Sequence, residues 1–203
     1  IDVERIEVLR GPQGTLFGQN STGGAINVIS KAPTTDNLEG KTDLPVGNYG
    51  LTKTRGSINL PLSDSVATRT SVSVTKRDGF TDNIFNGQEL DDADHLSFRT
   101  DWLFETSDTS SIRVFAQYFD ADNNGAAMKG FYDTTPDERE LSQNTLSKYE
   151  LESTVIGAIG EADLGFASLK ALASWQEDDI YVIRDNDRHN LFHDPSSVSA
   201  DAP

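Results

Sequence analysis

Strict two-residue alternation over segments of ten or more residues is what most narrows the folds open to this chain. From His95 to Glu105, Leu96, Phe98, Thr100, Trp102 and Phe104 fall on one side of an extended strand. His95, Ser97, Arg99, Asp101 and Glu105 fall on the other. Successive strand residues point to opposite faces, so the segment has one apolar and one polar face. A helix would mix Arg99 with Trp102 on one side. Val66 to Arg77 repeats the pattern, with Val66, Thr68, Thr70, Val72 and Val74 against Ala67, Arg69, Ser71, Ser73, Thr75 and Arg77. Further runs at Gly40 to Val46, Leu51 to Leu60, Ile112 to Phe119, Tyr149 to Glu161 and Ser168 to Arg184 bring the expectation to about seven strands.

The connections between these runs alternate in length. Pro61 to Ser65, Ser107 to Ser111 and Asp163 to Phe166 are short, whereas Thr81 to Asp94, Asp120 to Ser147 and the stretch from Asp185 onward are long. Alternation alone equally fits a soluble antiparallel sandwich. Two features point instead to a transmembrane barrel. Several runs reach the roughly 9–11 residues that a tilted membrane strand needs. Short turns at one end and long loops at the other are also how outer-membrane barrels are organised. No stretch approaches the roughly 20 apolar residues of a spanning helix, a test that does not apply to a barrel.

Charge excludes one class of partner. The 203 residues carry 17 Lys plus Arg against 33 Asp plus Glu, a net charge of −16, the wrong sign for a phosphate backbone, so no nucleic acid is expected. The acid is concentrated in the long connections. Thr81 to Asp94 has Asp82, Glu89, Asp91, Asp92 and Asp94 with no base, and Asp120 to Glu140 has six acids against Lys129 and Arg139. Such loops raise the local cation concentration and favour a neutral or cationic ligand, or one delivered with a cation. There is no cysteine, hence no disulfide framework or thiolate chemistry. Ile1 lies just before a strand-like run, with no basic region and apolar core of a signal peptide ahead of it, so the chain is expected either to be processed or to begin inside a domain, the second being favoured.

The first thirty-three residues differ in style from the rest. Ile6 to Leu9 and Ala25 to Ile29 are short apolar runs flanking a loop with Gly11, Pro12, Gly14, Gly18, Gly23 and Gly24. Glycines allow sharp turns and close backbone approach that a Cβ would resist. The order Val3-Glu4-Arg5-Ile6-Glu7-Val8-Leu9-Arg10-Gly11-Pro12-Gln13-Gly14-Thr15-Leu16-Phe17-Gly18, followed by Ser21-Thr22-Gly23-Gly24-Ala25-Ile26-Asn27-Val28-Ile29-Ser30-Lys31, closely resembles the end of the plug domain of TonB-dependent outer-membrane receptors. Gly47-Asn48-Tyr49-Gly50, Leu60-Pro61-Leu62-Ser63-Asp64, Lys76-Arg77-Asp78-Gly79-Phe80 and Asp94-His95-Leu96-Ser97-Phe98-Arg99 look like the first barrel hairpins of the same family.

That resemblance implies an all-β chain: the C-terminal part of a plug over residues 1–33, then the N-terminal part of a transmembrane antiparallel β-barrel over residues 34–203. It implies an active transporter in the Gram-negative outer membrane that binds a scarce nutrient, a ferric siderophore or similar iron complex. Energy would come from the TonB–ExbB–ExbD complex through a segment outside this sequence, and the barrel's surroundings would be outer-membrane lipid and lipopolysaccharide. The resemblance also implies that Arg5, Glu7 and Arg10 contact charged groups on the barrel wall, while the six loop residues act structurally. No cofactor and no catalysis are expected. A passive outer-membrane channel and a surface adhesin barrel are the alternative readings, with an outer-membrane hydrolase as a further class.

Other constellations carry less. The glycine loop lacks the Gly-Lys-Ser/Thr ending of a phosphate cradle, since Gly18-Gln19 and Gly24-Ala25 offer no lysine. Asp120-Ala121-Asp122-Asn123-Asn124-Gly125 begins like a calcium loop, but its twelfth position is Phe131 where a Glu is needed, so a polar strand end is expected. His189 and His193, with Asp187 and Asp194, sit beside Pro195 in a loop-like context that does not suit a metal site. Asn20-Ser21-Thr22 is a glycosylation sequon by pattern only, uninformative in a bacterial protein. No nucleophile motif accompanies the three histidines.

Overall fold

The structure is a computed structural model and describes residues 1–12, 14, 23–131, 133–186 and 188. In chain order its strands are β1 (Val3–Arg10), β2 (Gly24–Ser30), β3 (Glu39–Asp43), β4 (Thr52–Ser63), β5 (Val66–Arg77), β6 (Thr81–Asn83), β7 (Gln88–Leu90), β8 (Ala93–Ser107), β9 (Ser110–Asn123), β10 (Glu140–Leu141), β11 (Lys148–Asp163) and β12 (Ser168–Ile183). Seven of them form one antiparallel sheet in the order β12-β11-β9-β8-β5-β4-β3. These are the seven alternating runs of the sequence, joined through tight turns at 63–66, 107–110 and 163–168. β3 stops at Asp43, two residues before Pro45, which has no N–H to donate. At the other end of β4 the register shifts between Pro61 and Ser63, a bulge where proline is tolerated.

The sheet is inverted relative to a water-soluble protein. Most of its buried side chains are polar and share one face, Asn59, Arg69, Ser71, Ser73, Arg99 and Asp101, with the small Ala67 and Ala121 among them. The other face exposes Leu96, Phe98, Trp102 and Phe104 at 37–40 %. Register carries that apolar face across strands, with Val72 opposite Phe98 and Phe98 opposite Tyr118, and with Thr68 opposite Trp102 and Trp102 opposite Val114. A continuous apolar face would cost free energy in water at about 25 cal/mol per Å². Lipid removes that cost. From Val66 to Val74 the band runs about 26 Å along the strand, or about 20 Å once tilted by about 40°, near the height of an outer-membrane apolar girdle. Charged pairs follow above it, where Lys76 meets Asp94 at 3.1 Å and Lys148 meets Asp122.

Packing on the inner face leaves a mark in the sequence at Gly157. It lies opposite Phe115 in the β9–β11 pair, and a Cβ there would collide with the Phe115 ring. The glycine makes room for that ring, over which the Arg99 guanidinium sits 4.5 Å from the centroid.

The two acidic stretches between the long strands are not open loops. They fold together as a second, three-stranded sheet in the order β10-β6-β7, with β6 and β10 parallel. Leu90 and Leu141 are sealed inside it at 0 % and 1 % exposure. Several carboxylates expected to act as free charge are consumed in building it. Asp91 accepts from the Thr81 hydroxyl at 2.6 Å and from the Ala127 N–H at 3.0 Å, and Asp92 accepts from the Asn124 N–H at 2.7 Å. Asp120 and Asp122 belong to β9, so the calcium-like run is the polar strand end expected of it.

Candidate functional site

Strands β1 and β2 form an antiparallel hairpin with Ile6 opposite Val28 and Arg10 opposite Gly24. Gly24 has φ 141°, and a Cβ there would strike the Leu9 carbonyl, so the loop can leave the ladder at that point only through glycine. Gly11 has φ 84°, while Gly14 and Gly23 have open space around them. Pro12 is solvent-exposed. Gly18, the sequon and the His189–His193 group lie outside the described residues.

The hairpin's own charges are paired locally. Arg5 reaches Glu4 at 2.7 Å and Glu7 at 2.8 Å, and Asn27 donates to Glu7 at 3.1 Å. The hydrogen bond from Arg5, reinforced by that from Asn27, holds the Glu7 carboxyl below the usual range. These contacts of Arg5 and Glu7 lie within the hairpin.

Contact between hairpin and wall is made by residues that sequence reasoning did not single out. At the open end of the hairpin the Lys31 N–H donates to the Asp2 carbonyl at 3.0 Å. Asp2 takes the Arg69 guanidinium at 2.5 Å, Arg69 reaches Glu39 at 3.5 Å, and Glu39 takes Lys31 at 2.7 Å. The result is a chain of alternating charges linking the residue before β1, the segment after β2, β3 and β5. Arg69 is the hub, its side chain only 6 % exposed. Its inner-face position was legible from alternation, but its partner 67 residues away was not.

Asn59 fixes the connecting segment. Its carboxamide accepts from the Thr34 N–H at 3.0 Å and donates to the carbonyls of Thr34 and Asn37 at 2.9 and 2.8 Å. Further round the wall, Asp101 lies between Arg99 at 2.7 Å and Arg113 at 2.7 Å. Arg69 and Asp101 are direct cross-strand partners, so both charge clusters lie at one level of the inner face.

Above them, the outer rim gathers Tyr49, Phe80 and Arg139 from three connections, with Arg77 from the end of β5. The two rings are 5.4 Å apart, with Arg139 5.5 Å from Tyr49 and 5.1 Å from Phe80, and Arg77 4.9 Å from Phe80. Such stacking suits recognition through a flat, cation-bearing surface and needs no catalytic group. Among the described residues no group of three or more His, Cys, Asp or Glu is arranged to hold a metal ion.

An inverted sheet with a glycine-framed hairpin tied to its polar face is the arrangement expected of a segment of a plugged outer-membrane barrel. The ferripyoverdine receptor of the Pseudomonas aeruginosa outer membrane superimposes with a TM-score of 0.77 at 20 % identity, covering 90 % of this chain and 25 % of that one. The ferric yersiniabactin uptake receptor FyuA of Yersinia pestis gives 0.76 at 21 %, covering 89 % and 29 %. In sequence, the ferric enterobactin receptor PirA of P. aeruginosa is 37 % identical over 83 residues, which is 38 % of this chain and 11 % of PirA. The metal-pseudopaline receptor CntO of the same species is 25 % identical over 150 residues, 70 % of this chain and 21 % of CntO. No family model matches. The chain is homologous to a segment of the TonB-dependent siderophore receptors of Gram-negative outer membranes and shares their fold. It spans about a tenth to a fifth of the length of these curated relatives.

Proposed function

We propose that this chain is part of an outer-membrane active transporter that captures a scarce nutrient complex, a ferric siderophore or similar metal chelate, and imports it with energy supplied through TonB, ExbB and ExbD. Residues 1–33 would be the end of the plug and residues 34–203 the first part of the barrel, set in lipid and lipopolysaccharide. The carrying observation is the alternating charge chain Asp2–Arg69–Glu39–Lys31. A plug held by ion pairs in a wet lumen can shift when pulled, because water and counter-charges take over as contacts open. The cost is little for the exposed Lys31–Glu39 pair and more for the largely buried Arg69–Asp2 pair. An apolar seal would resist such movement. Arg5, Glu7 and Arg10 are proposed to meet further wall charges in the complete receptor.

The relatives are transport receptors, and this chain is read as non-catalytic. Iron uptake by a strain carrying only the complete gene tests the reading, with and without a protonophore. Chelate-dependent uptake abolished by the protonophore is the expected result. Uptake that persists would favour a passive channel, and ligand adherence without import would favour an adhesin.

A further inference from the structure

Among the described non-glycine residues with positive φ, Tyr49 alone is aromatic. It stands between β3 and β4 at φ 58°, and Gly50 follows it at φ 62°. The Leu51 N–H donates to the Asn48 carbonyl at 3.2 Å, so Asn48 to Leu51 form a tight turn whose two central residues are both left-handed. Such a turn favours Asn, Asp or Gly at its first central position, because the Cβ of a larger residue crowds the following carbonyl. Here asparagine stands one position early, and tyrosine occupies the strained place. A bulky left-handed residue persists only where its surroundings hold it.

Two other connections do the holding. The Tyr49 carbonyl accepts the Asp78 N–H at 2.9 Å, and the Asp78 carboxylate lies against Gly50, where a Cβ would strike it. The Tyr49 ring packs 5.4 Å from that of Phe80, with the Arg139 guanidinium 5.5 Å from its centroid. Arg139 is itself tied to the outer sheet, since its carbonyl accepts the Asp82 N–H at 2.8 Å. The sheet therefore sets where Arg139 stands, while its guanidinium bears on the turn.

We propose that Tyr49 is a strained latch coupling the outer sheet to the β3–β4 turn. Stacked against Arg139 and Phe80, the ring keeps the turn left-handed. A shift of the sheet carries Arg139 away from the ring, and the turn unwinds toward the right-handed backbone that tyrosine favours. Movement at the rim is thereby converted into a discrete rearrangement of the β3–β4 connection. The latch goes beyond the transporter reading and is independent of which solute is carried.

Hydrogen exchange of the complete receptor in detergent tests it, read at the Leu51, Lys53 and Asp78 amides, which bond to the carbonyls of Asn48, Pro45 and Tyr49. Arg139→Gln should accelerate exchange at these amides at least tenfold and leave β8 and β9 at wild-type rates. The decisive comparison is between two truncations of Tyr49. Tyr49→Ala removes the ring and keeps the strained Cβ, so the turn should open as it does in Arg139→Gln. Tyr49→Gly removes ring and strain together, so the turn should stay closed, and adding Arg139→Gln should change nothing. Were Tyr49 a packing residue only, Gly would open the turn at least as far as Ala, because both lose the ring and glycine leaves the freer backbone. That order of rates would overturn the proposal. So would wild-type exchange at the three amides in Arg139→Gln, or an acceleration that reaches β8 and β9 equally.

Discussion

Asn83 and Gln143 exchange two hydrogen bonds across the outer surface. The Asn83 carboxamide donates to the Gln143 carbonyl at 2.9 Å, and the Gln143 N–H returns to the Asn83 side-chain oxygen at 3.0 Å. Gln88 repeats the arrangement with Ser147, donating to its carbonyl at 2.7 Å and accepting its N–H at 2.9 Å. Two side-chain amides thus stand in for strand neighbours and join connections that are 60 residues apart.

Asn83 is 1 % exposed, so Asn83→Ala strands buried backbone groups on the opposite segment. The expected local loss is about 1–3 kcal/mol. Hydrogen exchange of the complete receptor should then rise together in residues 81–90 and 140–147. Acceleration confined to one of those segments would show that they open independently.

Asp2→Asn should loosen the hairpin. Arg69 would keep only the longer contact to Glu39, and breaking one side of a largely buried pair costs up to about 3 kcal/mol once lumen water is allowed for. Faster exchange in β1 and β2 with unchanged exchange in β8 and β9 is the expected pattern. Protection of β1 equal to wild type would remove the charge chain as its fastener.

Trp102 faces the apolar band and should tolerate a positive charge poorly. Trp102→Arg at the apolar band costs about 2–4 kcal/mol in urea-driven refolding into vesicles, by analogy with lipid-facing sites of other barrels. A cysteine at 102 should also resist a water-soluble reagent that labels one on the inner face. Equal labelling of the two positions would reverse the assignment of faces.

Asp133 makes the outer sheet sensitive to acid. Burial pushes its carboxyl up, but the N–H groups of Thr135 and Ser142, the Thr135 hydroxyl and the Lys129 charge together hold it below the usual range. Because the folded form binds its proton less readily than the unfolded one, this stabilisation is full above the unfolded pKa of about 4 and disappears as pH falls through the lower folded value. Amide protection at Thr135 and Ser142, corrected for intrinsic rates, should decline below about pH 4 and lose that dependence in Asp133→Asn. A decline that persists in the variant would assign the transition to another carboxylate.

What could be read from the sequence follows from how locally each feature is encoded. Period-two alternation at Val66–Arg77 and His95–Glu105 marks strands and faces at once, because lipid and lumen sort side chains residue by residue. The outer sheet has no such trace. β6, β7 and β10 are three, three and two residues long, too short for periodicity, and β10 pairs with a strand far away in sequence. Asp91, Asp92 and Asp133 read as solvated charge because their partners are backbone N–H groups, which composition does not reveal. The charge chain was hidden for a similar reason. Arg69 was visible as an inner-face residue, but Asp2 and Glu39 are brought to it only by the fold.

The shared outer sheet also bears on how variants of this surface can be inherited or engineered. Residues 78–92 and 124–147 look like two interchangeable surface insertions, yet they build one sheet together, in which Leu90 and Leu141 are buried. A chimera that takes one of them from a relative leaves an unmatched half: bare leucine, an Asn83 without its carbonyl, and a Gln88 without Ser147. Recombination at this surface is therefore expected to succeed when both breakpoints lie outside the pair, so that the two segments travel as a single cassette.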